Sequence, residues 1–158
     1  MTIMCSKNIK LMNQQRIDIL IRILFIENYY DKNDYGFEFY KAHMMHIHQG
    51  THRHRRVTKR YTDFIKLIKD FEKNGFDTNK SLLHVNDKGE LWDDGAHRLA
   101  CCLYFNINHI PVKICGVSPK PNANYGEKYV KKVFNKKKCD LILKRYSEWI
   151  SHNDDMGN

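Results

Sequence analysis

One continuous stretch limits what this chain can fold into more than any other: Leu82 to Ile114, LLHVNDKGELWDDGAHRLACCLYFNINHIPVKI. Leu82–Val85 is a short apolar run, Asn86–Gly89 has turn chemistry, and Glu90–Trp92 opens a second run, so the pattern predicts a hairpin. Asp93-Asp94-Gly95 breaks the extended pattern. From Ala96 the apolar residues Leu99, Cys102, Leu103 and Ile107 recur at helical spacing. Ile110–Ile114 then resumes as a strand, with Pro111 near its start, where a missing N–H is tolerated. A strand, a glycine turn and a helix whose first turn carries His97 and Arg98 make the geometry of an anion site.

The physics of such a site is elementary. The first amides of a helix lack intrahelical partners, and the macrodipole makes that end partially positive. Gly95 lets backbone approach a phosphate, and Arg98 adds a planar fork of donors. Asp94 complicates the arrangement. As N-cap it would occupy the amide of Ala96 or His97, and its charge would repel phosphate. The conflict disappears if Mg²⁺ bridges carboxylate and phosphate, or if Asp94 turns aside to hold Arg98 or His97.

The run DGAHRLACCLYFNINHIPVKI resembles the signature of the ParB/sulfiredoxin superfamily, in which Asp-Gly-x-His-Arg opens a helix and a short Ile-Pro-Val strand follows. The likeness is strongest to small stand-alone kinase-like members. Arg16-Ile17-Asp18, Phe39–His43 and Phe64–Gly75 resemble members found near glycan-assembly enzymes. The resemblance implies an α+β fold: a small mixed sheet with a strand–glycine turn–helix anion site, flanked by several helices. It implies that Gly95, Ala96, His97 and Arg98 hold the phosphates of ATP or another nucleotide. Sulfiredoxin chemistry needs a cysteine immediately before the His-Arg pair, and Ala96 stands there. ParB continues into a DNA-binding region and a dimerisation tail, for which the residues after Ile114 are too few, so chromosome partitioning is not expected.

Charge decides which partners to expect. The net charge of +9 over 158 residues invites a nucleic-acid reading, so its placement matters. From Leu82 to Val112 there are two cations (Lys88, Arg98) against four anions (Asp87, Glu90, Asp93, Asp94). The basic excess lies in Arg53–Arg60 and Lys128–Arg145, which read as solvated faces and snorkelling lysines. A small anionic ligand with a metal suits the signature better than a polyanion, and nucleic-acid binding is expected to be weak.

The rest of the chain reads as helices around that core, within a single domain. Met1–Met12 is a frayed lead-in. Asn13 caps a helix over 14–30 with a stripe of Ile17, Leu20, Ile21, Leu24 and Phe25. Asp31–Asp34 is a turn, Tyr35–His48 a helix, Gln49–Arg56 a loop, and Tyr61–Asn74 a helix stopped by Gly75. These make a helical part over 13–75 before the signature core at 82–114. Val117–Gly126 is loop, and a C-terminal helical part over 127–150 breaks near Asn135–Lys138. Ile17–Ile26 is too short, and too interrupted by Asp18 and Arg22, to span a bilayer. With no secretory pattern and five scattered cysteines outside any CxxC, a reduced, cytoplasmic setting is expected.

Two functional classes remain. In the first, the protein is a nucleotide-dependent phosphotransferase acting on a small hydroxyl-bearing metabolite or sugar. Asp93, Asp94, His97 and Arg98 are its catalytic candidates, Asp94 its Mg²⁺ ligand, and Tyr40 and His43 touch substrate or pack in the core. Related kinases take a carboxylate base from an upstream strand that has no counterpart here, which leaves Asp18 and Glu38 as candidates. In the second, a ParB-like module binds nucleotide or nucleic acid without turnover. His43, His46, His48, His52 and His54 cluster at spacings that zinc sites use, yet no Cys, Asp or Glu lies among them. Cys101 and Cys102 read as small core residues.

Overall fold

The protein is α+β and mostly helical. Its computed structural model describes residues 2–5, 16–92, 94–117 and 125–157. In chain order these form β1 (Thr2–Cys5), α1 (Ile17–Tyr29), α2 (Gly36–Ile47), α3 (Arg53–Asn74), β2 (Leu83–Val85), α4 (Ala96–Tyr104), β3 (His109–Ile114), α5 (Glu127–Val133) and α6 (Lys136–Gly157). None of the described helices is long and apolar enough to cross a membrane.

The core is built around α1. Every residue from Ile17 to Ile26 is buried, including Asp18 and Arg22, because α2, α4 and α6 all pack against this one helix. Its closest neighbour is α2. A Cβ at Gly36 would lie 2.0 Å from the Leu24 carbonyl oxygen, so only glycine lets the start of α2 sit on the α1 backbone. The connection is fixed by side-chain amides. Asn33 Oδ1 accepts from the Gly36 amide at 2.8 Å, and Asn28 Oδ1 accepts from the Phe37 amide at 2.9 Å. The expected turn at Asp31–Asp34 thus acquires a physical cause.

The sheet has the order β1-β3-β2, with β1 antiparallel and β2 parallel to the central β3. Leu83 pairs with Val112 and Val85 with Ile114, one register to the C-terminal side of Pro111, so the proline stays outside the β2 ladder. Because β2 and β3 are parallel, the chain crosses between them through α4. The expected hairpin survives as a narrow turn: Asn86 donates to the Glu90 carbonyl and Trp92 to that of His84, and Val85 bridges Leu91.

Two expectations are corrected. Thr2–Cys5 is not lead-in but a paired edge strand, opposite His109–Val112. Residues 53–56 are not loop but the first turn of α3, which runs from Arg53 to its stop at Gly75 (φ +69°). The charges of Arg53–Arg60 hid that turn; a solvated helix face is as basic as a loop. The helical break near Asn135 is observed. Phe134 leaves α5 with extended backbone, and Asn135 Oδ1 accepts from the Lys138 amide at 3.0 Å to start α6. Asn13 and most of the loop at Val117–Gly126 lie outside the described residues.

Candidate functional site

The turn into α4 is set by steric demand on one glycine. Gly95 has φ +89°, the left-handed region, and a Cβ there would come within 2.9 Å of a Leu83 side-chain methyl. Gly95 itself is the N-cap, and no side chain among the described residues caps the helix. Of the alternatives for Asp94, the N-cap position is thus excluded. Its carboxylate is 69% exposed and turns toward His84, with Oδ2 4.0 Å from His84 Nδ1, instead of holding His97 or Arg98. Among the described residues nothing takes the first amides of α4, at the positive end of the helix. Asp93 lies outside the described residues.

His97, in the first turn of α4, is wedged between α2 and α3. Its Nε2 is 2.8 Å from the Tyr40 hydroxyl, and its ring stands edge-on to Phe64 with centroids 4.7 Å apart. The Tyr40 hydroxyl also lies 3.4 Å from the Arg60 carbonyl. The hydroxyl has one proton, so the His97 tautomer follows from whether that proton goes to Nε2 or to the Arg60 carbonyl, and Nδ1 is the ring nitrogen that Tyr40 does not hold. That nitrogen has no protein partner among the described residues, and the ring is only partly buried. Burial, then the charges of Arg22 and Arg60, push the imidazole well below its ordinary pKa. His97 is thus a neutral side chain with one ring nitrogen unused among the described residues.

Arg98 takes a different course from the one its motif suggests. One guanidinium nitrogen donates to the Ser81 carbonyl and the other to that of Leu82 at 3.4 Å, and the group lies over the Phe76 ring. It ties the chain entering β2 to α4 and is in no ion pair with Asp94 among the described residues. Three of its five N–H donors remain uncommitted.

The chain matches no family model, no curated protein and no solved structure.

The structure brings Tyr40 to His97 but sends His43 elsewhere. Both are fully buried. His43 Nδ1 makes a short hydrogen bond with the Tyr129 hydroxyl of α5, its Nε2 has no partner among the described residues, and burial pushes its pKa down to about 3. The remaining histidines diverge: His46 packs on Tyr129, His48 sits at the end of α2, and His52 and His54 are exposed. No group of three His, Cys, Asp or Glu side chains converges among the described residues.

The proposed bases fare poorly. Asp18 is bonded by Arg16 at 2.8 and 3.0 Å and by Arg22 at 3.3 Å. Burial alone would raise its pKa, but the Arg16 hydrogen bond and the charges of Arg16 and Arg22 outweigh that and hold the carboxyl below its ordinary value. A saturated, buried carboxylate cannot take a substrate proton. Glu38 is exposed and ion-paired to Lys138. Cys101 and Cys102 are buried, and burial raises both thiols, Cys102 to about 12, so neither supplies a thiolate. Sequence reasoning missed the Arg16–Asp18–Arg22 cluster, though the i, i+4 spacing of Asp18 and Arg22 was its signal.

Proposed function

We propose that this chain is a nucleotide-binding protein of ParB/sulfiredoxin-like architecture that transfers a phosphoryl group to a small hydroxyl-bearing metabolite or sugar. The observation that carries the reading is the start of α4, uncapped among the described residues, with the open Nδ1 of His97 beside it. Free amides at a helix start are donors aimed at an anion, and a neutral imidazole offers a polar contact without a desolvation cost for charge. Gly95, Ala96 and the amides after them would seat the phosphates, and Arg98 would contribute from its uncommitted N–H groups. Tyr40 is a positioning residue: its hydroxyl, 2.8 Å from Nε2, fixes the orientation of the His97 ring. Asp94, exposed at the mouth of the turn, fits a Mg²⁺ that is held by one carboxylate and the phosphates of its ligand. Such an ion would neutralise charge on the transferred group. The proton acceptor for the hydroxyl is unassigned among the described residues.

A second reading has its own observation, the exposed basic face of α3 with Arg55, Arg56, Lys59 and Arg60. That face suits a module that binds nucleic acid and turns nothing over. A thermal-shift series with ATP, ADP and GTP, with and without Mg²⁺, tests binding. The phosphotransferase reading expects a Mg²⁺-dependent rise in Tm and slow nucleotide hydrolysis indifferent to DNA. No response to any nucleotide overturns it, and hydrolysis stimulated by DNA favours the module.

A further inference from the structure

The basic face of α3 includes a concave feature that the α4 site does not use. A cavity of about 350 Å³ is lined by His48, Arg56, Lys59, Arg60 and Asp63. Arg56, Lys59, Arg60 and Asp63 follow each other at i, i+3, i+4 and i+7, so one helix face supplies them all. His48 closes the cavity from the position just after α2, where the chain turns from helix to extended backbone.

Its charges do not balance. The single carboxylate, Asp63, is already taken by Lys59 at 2.7 Å. The Arg56 and Arg60 guanidinium groups have no acidic partner among the described residues, and the half-buried His48 lies within reach of both charges. Three cations and an imidazole against the one Asp63 carboxylate, which feels the Arg60 charge as well as that of Lys59, leave donors in excess and form an acceptor-seeking site. The cavity is also a neighbour of the α4 site. Tyr40, which bonds His97, lies 3.4 Å from the Arg60 carbonyl, and the Arg60 charge acts on His97 as well as on His48.

We propose that this cavity binds the phosphate group of a small phosphorylated metabolite, held between the Arg56 and Arg60 guanidiniums with His48 as a third donor. The volume favours a small ligand: it lies at the lower end of the roughly 300–1,000 Å³ typical of small-molecule sites. The cations are clustered within little more than one helical turn, whereas a nucleic-acid strand is met by a track of cations along its backbone. The assignment of this ligand as the acceptor of the transferred phosphoryl group rests on the reading of α4 given above; phosphate binding here does not. The substrate class is thereby narrowed to a hydroxyl-bearing compound that already carries a phosphate.

The test follows the His48 imidazole by NMR as inorganic phosphate replaces chloride at constant ionic strength. An added dianion stabilises the protonated ring, so the His48 titration is expected to move up in phosphate by about half a unit or more, with His52 and His54 unmoved. The exposed pair Arg56→Gln/Arg60→Gln should weaken phosphate binding at least tenfold. Equal titration in phosphate and chloride overturns the proposal. So does a single-stranded oligonucleotide that moves His48 at far lower concentration than phosphate, because the face then serves nucleic acid. Nucleotide binding is read separately, from the amides of Ala96, His97 and Arg98. If phosphate moves His48 while those amides ignore ATP, the cavity stands and the phosphotransferase reading falls.

Discussion

Asp18 shows how much of this fold hangs on single polar groups. It sits at 2% exposure in the most apolar helix of the chain, and the sequence presents it as an interruption. The structure makes it an anchor: two guanidiniums enclose it, from Arg16 just before α1 and Arg22 one turn on. Asp18→Asn keeps the shape but removes the carboxylate charge that two buried guanidiniums share, and is expected to cost about 3–5 kcal/mol in urea unfolding. A loss below about 1 kcal/mol would show that the arginines find water or other partners. Periodicity made the stripe of Ile17, Leu20, Leu24 and Phe25 legible, but a polar residue in an apolar run looks the same whether solvent or a partner satisfies it. The same blindness applies to His97 and Arg98. Their residue types marked an anion site, yet only the folded chain shows Tyr40 holding one and the Ser81 and Leu82 carbonyls engaging the other.

At the scale of elements, the sequence was most informative where hydrophobic period and turn chemistry agreed. β2, α4, β3 and the end of α3 at Gly75 all follow from such agreement. It failed where charge or isolation masked the period. The first turn of α3 looked like loop because Arg53–Arg56 is solvated, and β1 carries no signal of its own because four residues become a strand only when β3 is beside them. Gly36 was equally silent, since nothing local says that a backbone will pass within touching distance. Its contact makes a sharp prediction: Gly36→Ala must displace α2 from α1, costing about 3 kcal/mol or more. Chemical denaturation checks this, and the loss of far-UV helical signal should remain a single cooperative transition. A neutral substitution would mean that the α1–α2 interface is looser than its geometry implies.

For the whole molecule, the buried histidines govern the response to acid. His43 is neutral in the fold with a pKa of about 3 against an ordinary 6.5. Between those values the unfolded chain binds a proton that the native state refuses. Stability is therefore complete above pH 6.5 and falls as pH drops toward 3, by up to about 1.4 kcal/mol per pH unit for this group. His97 adds to the fall in the same direction, and Asp18 adds a further loss below its ordinary 3.8. Unfolding free energies measured across this range should show the decline starting near neutrality, and His43→Gln should flatten it by about one proton. A wild-type stability that stays level down to pH 5 would contradict this account of the core. The most direct test of the central claim is amide-resolved NMR of the full chain titrated with ATP and Mg²⁺. The open start of α4 predicts saturable shifts largest at Ala96, His97 and Arg98, with the His97 ring signals moving alongside them. Saturable shifts elsewhere that leave those three amides in place would contradict a phosphate site at α4.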